Sequence, residues 1–128
     1  CLFGVARRSA VQLVAGTAAA QPVPELGYDP ATDVVVPRFH GLSPFSGTEL
    51  AHLLRNEGIT TVVLAGVSLN VAIPNAAFDL VNAGFQAVVA TDCVVATPTE
   101  YGGQVLANTL AYVATLAGSS ELAAAWRG

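Results

Sequence analysis

Apolar residues occur along the chain as short unbroken runs and as stripes at helical spacing. Thr61 to Ala65 is a short, partly β-branched run, which predicts a strand covered on both faces. Gly66 ends this run, and the following apolar residues repeat at helical spacing: Ala76, Ala77, Leu80, Val81 and Ala83. Pro74 is compatible with a first helical turn, and Gly84 is a typical helix end. Residues 59–85 therefore predict a buried strand, a tight turn and a helix.

Two further elements are predicted before this strand–turn–helix unit. Val34 to Val36 predicts a strand, and Pro37 ends it. Ser46 and Glu49 have the S-x-x-E spacing of a capping box, which predicts the start of a helix. The buried stripe of that helix consists of Leu50, Leu53 and Leu54.

Three more elements are predicted after the unit. Gln86 to Ala90 predicts another buried strand. Thr97 to Gly103 contains Pro and two Gly residues and predicts a loop. Val105 to Leu116 predicts a helix, and Ser119 or Ser120 is expected to cap a last short helix.

The predicted order of elements is strand, helix, strand, helix, strand, helix. Connections of this length suit right-handed crossovers between parallel strands, the arrangement of α/β proteins. A chain of 128 residues is expected to form one domain. The pattern therefore predicts one α/β domain with a parallel sheet.

The turn after the Thr61 strand is the first candidate site. Ligands of open α/β sheets bind in the crevice outside the carboxyl ends of the strands. The backbone N–H groups from Ser68 to Ile73 would point into that crevice and can hold an anion or an oxyanion. Ser68, Asn70 and Ala72 are the candidate pocket residues, and Asn70 is also expected to cap the helix. The alternative is a purely structural turn, since most such units carry no chemistry.

Three side chains are candidates for binding a substrate in the same crevice. Arg38 follows the Val34 strand and can bind a carboxylate through two hydrogen bonds, or it can be a surface residue that pairs with an acid. His40 can act as an acid or base, or it can simply bond to the backbone. Tyr101 is expected to line the crevice from the Thr97 to Gly103 loop.

Two residues follow the Gln86 strand at its predicted carboxyl end. Asp92 is expected to cap or position a loop, and Cys93 is most simply a small buried apolar residue. The two cysteines of the chain, Cys1 and Cys93, suit a reduced cytoplasmic compartment better than a disulfide scaffold.

Composition excludes several other classes of function. The net charge is −4 and all five basic residues are Arg, which argues against binding of nucleic acid. No apolar run is long enough to span a bilayer, so no membrane partner is predicted. No Cys/His cluster has the spacing of a metal site, and no cofactor is predicted.

A longer motif links these elements to a known family. The stretch GVSLNVAIPNAAFDLVNAGF and the later VVATDCV resemble the signature of the isochorismatase-like hydrolases, also called cysteine hydrolases, which include nicotinamidases and other amidases. The matching residues are Gly66, Val67, Asn70, Val71, Gly84, Phe85 and Asp92. The resemblance covers roughly residues 33–117 and implies a three-layer α/β/α, Rossmann-like fold with a parallel sheet.

The chain departs from the family pattern at the catalytic positions. The nucleophilic Cys of the family stands at the helix start, where this chain has Ala72. The catalytic Lys of the family falls near Arg38, and the chain contains no Lys. The third catalytic residue is an Asp on the first strand of the family, which has no clear counterpart here. The usual Asp-Lys-Cys site is therefore not expected in this chain.

The resemblance also implies that the first two strands of the fold are absent, so that the chain is one partial domain. Unpaired buried backbone groups cost about 1–3 kcal/mol each. We therefore expect another polypeptide, the N-terminal fragment of the same precursor, to supply the strands. The completed domain is expected to form homo-oligomers, as the family commonly does.

The start of the chain suggests a nucleophile. Cys1 exposed by cleavage of a precursor can attack an amide carbon with its own α-amine as base, which predicts a hydrolase for non-peptide C–N bonds. The alternative origin of Cys1 is an accidental nick. A second hypothesis, supported by Ala72, is a catalytically dead relative that binds a small molecule or a partner. A third is a hydrolase in which His40 and an acid of the missing part hold a water molecule.

Overall fold

A three-stranded parallel sheet forms the centre of the fold in this computed structural model, which describes residues 14–38 and 42–127. The strands are β1 (Thr61–Val67), β2 (Gln86–Val95) and β3 (Thr115–Ala117). β2 lies between the other two and pairs in parallel with both. The predicted α/β class with a parallel sheet is confirmed.

Helices connect and flank these strands. They are α1 (Leu50–Asn56), α2 (Ala72–Asn82), α3 (Thr99–Asn108) and α4 (Ser119–Arg127). Single 3-10 turns occur at Ala18–Ala20, Pro24–Leu26 and Leu110–Tyr112. Every described helix is too short or too polar to cross a lipid bilayer.

The strand, turn and helix predicted from residues 59–85 are present, but β1 is not buried as predicted. Val62, Val63 and Leu64 are half-buried and the other four residues of β1 are exposed, because the described part of the chain covers this strand only partly. α2 ends where the sequence predicts, because Gly84 adopts a positive φ of 86° that glycine tolerates at no steric cost. The N–H of Gly84 donates to the carbonyl of Val81 at 3.0 Å, and that of Phe85 donates to the carbonyl of Leu80 at 2.9 Å. These two bonds form a Schellman motif, which satisfies the last carbonyls of the helix.

The apolar core lies between β2, α2 and the segments that follow. Its most buried large side chains are Leu69, Leu80, Val89 and Leu110. Leu69 belongs to the β1–α2 turn, so the core reaches the carboxyl end of β1.

By its internal contacts the chain divides into two units, residues 1–35 and 36–128. The described part of the first unit contains two 3-10 turns and a loop closed by hydrogen bonds of Asp29. The N–H of Asp29 donates to Asp33 Oδ2 at 2.8 Å, and Asp29 Oδ1 accepts from the N–H of Ala31 at 2.9 Å. The sheet and the core belong to the second unit.

Two features predicted before β1 differ in the structure. Val34 to Val36 is not a strand, and Val34 and Val35 are 73% and 57% exposed. β propensity alone does not make a strand without a partner for its ladder of hydrogen bonds, and no described residue provides one. The predicted capping box is also wrong, since α1 begins at Leu50 and the side chain that accepts from its N–H, at 3.3 Å, is Thr48 Oγ1.

The helix predicted over Val105 to Leu116 is shifted. α3 already begins at Thr99, within the predicted loop, and ends at Asn108, while Thr115–Ala117 forms β3. Gly102 and Gly103, which suggested a loop, lie inside α3. Thr115–Ala117 forms a strand because it pairs with β2, and a local sequence pattern does not reveal such tertiary contacts.

Candidate functional site

The β1–α2 turn lies at the carboxyl end of β1, as the sequence predicts. The Val67–Ser68 peptide bond is cis. The N–H of Leu69 donates to the carbonyl of Val95 at 2.8 Å, and those of Val71 and Ile73 donate to the carbonyl of Ser68 at 3.3 and 3.1 Å. Three of the six N–H groups from Ser68 to Ile73 are thus used within the fold.

The other three N–H groups belong to the predicted pocket residues Ser68, Asn70 and Ala72. No described residue accepts a hydrogen bond from them. Ala72 is the first residue of α2, and the residue before it provides no side-chain cap. The positive end of the helix dipole is therefore open here, and an anion or a developing negative charge is favoured at such a position.

Asn70 does not cap α2, which corrects the sequence-based prediction. Its Nδ2 donates to the carbonyl of Thr97 at 2.8 Å, and its Oδ1 accepts from the N–H of Thr97 at 2.8 Å. We refer to this reciprocal pair of bonds as the Asn70–Thr97 clamp. The clamp ties the turn after β1 to the segment between β2 and α3.

α3 packs closely behind the turn. A Cβ atom on Gly102 would lie 3.2 Å from Ala96 Cβ and 3.2 Å from Leu69 Cδ2, so only glycine fits there without displacement. Leu69 is 2% exposed. Gly102 supports the turn, and the sequence analysis did not identify it. The only feature of the sequence that could have indicated this role is the pair of glycines directly before an apolar stripe.

Tyr101 stands in the first turn of α3, where its N–H donates to the carbonyl of Pro98 at 3.1 Å. Its side chain is 50% exposed. The segment that carries Tyr101 is the one held by the Asn70–Thr97 clamp, so the structure joins this predicted residue to the turn through the backbone.

A second polar group lies on β2. Leu64 pairs with Val89 and Gly66 pairs with Val94, so β2 advances five residues while β1 advances two. Asp92 and Cys93 lie in this bulge, and β2 continues beyond them to Val95. Cys93 is therefore exposed and not buried as predicted.

Asp92 caps α4, in agreement with its predicted structural role. Its Oδ2 accepts from Ser119 Oγ at 2.6 Å, and its Oδ1 accepts from the N–H of Ser119 at 2.8 Å. Both bonds favour the charged form of Asp92 and so hold its pKa below the usual value. The bond from the Ser119 hydroxyl has the larger effect and the bond from the Ser119 N–H the smaller one. Cys93 Sγ lies 3.7 Å from Asp92 Oδ1.

The remaining predicted site residues are not brought to the turn by described contacts. Arg38 is exposed, lies outside the helices and strands, and makes no hydrogen bond or ion pair with another described residue. Cys1 and His40 lie outside the described residues. Within residues 14–38 and 42–127, no group of three His, Cys, Asp or Glu side chains could hold a metal ion.

An open depression of about 520 Å³ lies at the other end of the sheet. Its lining includes Gln86 and Thr115, the first residues of β2 and β3, together with Val81, Phe85 and Tyr112. It is a feature of the amino ends of the strands and does not include the β1–α2 turn.

A parallel sheet flanked by helices places the chain among the α/β proteins, a class whose ligands commonly bind at the carboxyl ends of the strands. Residues 4–121 match the isochorismatase domain, and the chain belongs to this family. An uncharacterised isochorismatase family protein of Bacillus subtilis is 35% identical over 75 residues, which are 59% of this chain and 39% of that protein. Maleamate amidohydrolase of Pseudomonas putida is 44% identical over 52 residues, 41% of this chain and 24% of the enzyme.

Solved structures share the fold. An isochorismatase-like hydrolase of Alkaliphilus metalliredigens superposes with a TM-score of 0.84 at 28% identity, over 93% of this chain and 65% of that one. N-carbamoylsarcosine amidase of Thermoplasma acidophilum gives a TM-score of 0.73 at 27% identity, over 86% and 61% of the two chains. The matches thus span 39% or less of the two sequence relatives and about two thirds of these structures.

Proposed function

We propose that the chain is a subunit of an isochorismatase-like amide hydrolase that cleaves the C–N bond of a small, non-peptide substrate. The observation that carries the proposal is the open row of N–H groups on Ser68, Asn70 and Ala72 at the carboxyl end of β1. Similarity to maleamate amidohydrolase and N-carbamoylsarcosine amidase supports the choice of an amide as substrate.

The turn suits the charge that amide cleavage develops. Attack on the carbonyl carbon turns the carbonyl oxygen into an oxyanion, and preorganised N–H donors stabilise this oxyanion more than the neutral carbonyl. Removal of one such donor typically slows catalysis about 100- to 1000-fold. Arg38 would bind a substrate carboxylate, Tyr101 would line the pocket, and His40 would bind or exchange a proton with the substrate.

Cys1 is the proposed nucleophile. Its α-amine takes the thiol proton, the sulfur bonds to the carbonyl carbon, and the C–N bond breaks as the amine leaves with that proton. Water then hydrolyses the thioester, which releases the acid and restores the thiol. This role requires that cleavage of a precursor expose Cys1.

The N-terminal fragment of the same precursor is the proposed partner. β1 pairs with β2 on one edge, and no described residue pairs with its other edge. β1 reads TVVLAGV, the composition of an inner strand, yet Val67 at its end is 75% exposed. Strands of the fragment would cover this edge, and the completed domain would associate with copies of itself in the cytoplasm.

Intact mass spectrometry of the protein expressed from its full reading frame tests the processing. Two co-purifying chains in the wild type and one uncut chain in Cys1→Ala would show that Cys1 directs its own release. Identical cutting of both proteins, or no cutting, would remove the basis for the Cys1 nucleophile.

Ammonia release from a panel of primary amides, including nicotinamide and maleamate, tests the activity. Turnover by the wild type that is lost in Cys1→Ala supports the proposal. Turnover that persists in Cys1→Ala would support hydrolase activity but would exclude Cys1 as the nucleophile. Absence of turnover with the whole panel contradicts the hydrolase.

A catalytically dead family member that binds a small molecule or partner is the second candidate. Ala72 favours it, because a methyl group stands at the first residue of α2 where the resemblance implies a nucleophile. An Ala72→Cys variant would carry a thiol with a lowered pKa at the helix start. Amidase activity that appears only in this variant would favour a binding protein that has lost its chemistry.

A further inference from the structure

We infer that Asn70 is a positioning residue for the oxyanion pocket. Its side chain bonds to Thr97, and it acts by holding the turn that carries the N–H groups of Ser68 and Ala72. This inference rests on the proposed function, because it assumes that these N–H groups stabilise an oxyanion.

The geometry of the clamp restrains orientation as well as distance. Both polar atoms of the Asn70 amide bond to the one residue Thr97, each at 2.8 Å. Since a side-chain amide is planar, two bonds to the same residue restrain its tilt, which a single bond would not. The turn between β1 and α2 therefore takes its orientation from the segment that leads into α3.

Other contacts hold the turn at a neighbouring point. The N–H of Leu69 donates to the carbonyl of Val95, two residues before Thr97. The Leu69 side chain is buried against Gly102 of α3. The back of the turn is thus fixed through Leu69 and Asn70, while the N–H groups of Ser68 and Ala72 have no acceptor among the described residues.

Asn75, in the first turn of α2, provides a matched control. Its Nδ2 donates to the carbonyl of Val71 at 2.8 Å, a bond within the first turn of α2 that does not involve the segment around Thr97. Asn75→Asp and Asn70→Asp introduce the same charge near the same helix start, but only Asn70→Asp breaks the clamp.

Steady-state kinetics of the processed protein, with the amide from the panel that it hydrolyses fastest, separates positioning from binding. We expect Asn70→Ala to lower kcat about 10- to 100-fold and to change KM less than about threefold. Asn75→Ala is expected to stay within about twofold of the wild type in both constants. Equal kcat values for the two variants would overturn the inference.

Asn70→Asp adds a readout that loss of stability would not produce. The introduced carboxylate has no hydrogen to donate to the carbonyl of Thr97, whereas its protonated form has one. We expect the kcat of Asn70→Asp relative to Asn75→Asp to rise at least about threefold as the pH falls from about 7 to about 4, where a carboxyl group becomes protonated. A ratio that does not change with pH would overturn the inference.

Hydrogen exchange tests the clamp separately from the activity. If no amide of the panel is hydrolysed by the wild type, the proposed function fails but the clamp can still be measured. We expect Asn70→Ala to speed amide exchange at Leu69, Ile73 and Thr97, whose N–H groups are hydrogen-bonded, by at least about tenfold, and Asn75→Ala to leave Thr97 unchanged. Equal exchange at these residues in both variants would show that Asn70 does not hold the turn.

Discussion

Two helix starts at the carboxyl edge of the sheet differ in how their N-termini are capped. The carboxylate of Asp92 caps α4, the helix that follows β3. Both carboxylate oxygens accept hydrogen bonds from Ser119, the first residue of this helix. α2, which follows β1, begins without a side-chain cap, and the side chain of Asn70 in the preceding turn bonds to Thr97 instead. The fold thus supplies an anion to one helix start and leaves the other open, and the open one is where an external anion or oxyanion can bind.

The two helix starts are also supported differently. The turn before α2 buries Leu69 in the core, whereas α4 has no buried residue. The open start is therefore held rigidly from behind by packing, while the capped start depends on a charge-assisted contact at the surface. Rigid support is what a preorganised binding site requires.

Truncation of the buried turn residue should give the largest effect on stability. Leu69→Ala removes a side chain that is 2% exposed and should cost about 2–5 kcal/mol of unfolding free energy. Leu122→Ala, on the half-buried face of α4, should cost less than about 1.5 kcal/mol because water already reaches that site. Urea denaturation of both variants checks the contrast, and similar losses would contradict it.

A methyl group behind the turn should have the next largest effect. Gly102→Ala places a Cβ 3.2 Å from both Ala96 and Leu69, whereas Gly103→Ala meets no atom within 4 Å. Both changes favour the helix by about 0.5–1 kcal/mol. The crowding at Gly102, at about 1–3 kcal/mol, opposes this gain because the Cβ of Ala96 cannot move without its backbone. We expect Gly102→Ala to be less stable than Gly103→Ala, and the reverse order in thermal unfolding would show that the packing is loose.

An internal anion at the open helix start should make it resemble the capped one. Ala72→Asp should stabilise the fold by about 0.3–1 kcal/mol at low ionic strength, because its carboxylate faces the N-terminus of α2. Ala72→Asn has nearly the same shape without the charge and is the control. The difference between the two should shrink in high salt, and a difference that salt does not change would exclude the helix dipole as its cause.

Removal of the existing cap should have the smallest effect, visible as a dependence on pH. The pKa of Asp92 is lowered in the folded state, so the carboxylate stabilises the fold above its unfolded pKa, and this contribution is lost as the pH falls through the lower folded value. Asp92→Asn should lower the thermal midpoint near neutral pH and reduce the loss of stability on acidification. Asp79→Asn, within α2, is the control, and parallel pH profiles of Asp92→Asn and wild type would refute the cap.

Local patterns predicted the central part of the fold. The strand from Thr61, the helix after it and the stop at Gly84 depend on neighbouring residues only, and the structure confirms them. The predicted break at Gly66 is wrong, since β1 continues through Gly66 to Val67, where both residues pair with β2. The family, which the motif around Gly66 and Asp92 indicated, is confirmed by the match over residues 4–121.

Features that depend on distant residues were not predictable in this way. Asn70 has the residue type of a helix cap, but it bonds to Thr97, 27 positions further along the chain. Gly102 and Gly103 look alike in sequence, and only the packing of α3 against Leu69 distinguishes them. Val34 to Val36 has the composition of a strand, yet a strand exists only with a partner. The roles of Cys1, Arg38 and His40 remain predictions.

The open edge of β1 has a consequence for the behaviour of the chain in solution. Six of the seven residues of β1 are apolar or β-branched, and a strand of this composition with no described partner on one side is the kind of edge that pairs with other strands unspecifically. Produced alone, the chain should therefore aggregate progressively as its concentration rises. If the proposed N-terminal fragment covers this edge, its presence during synthesis should prevent aggregation, and the soluble yield should depend on the ratio of the two polypeptides.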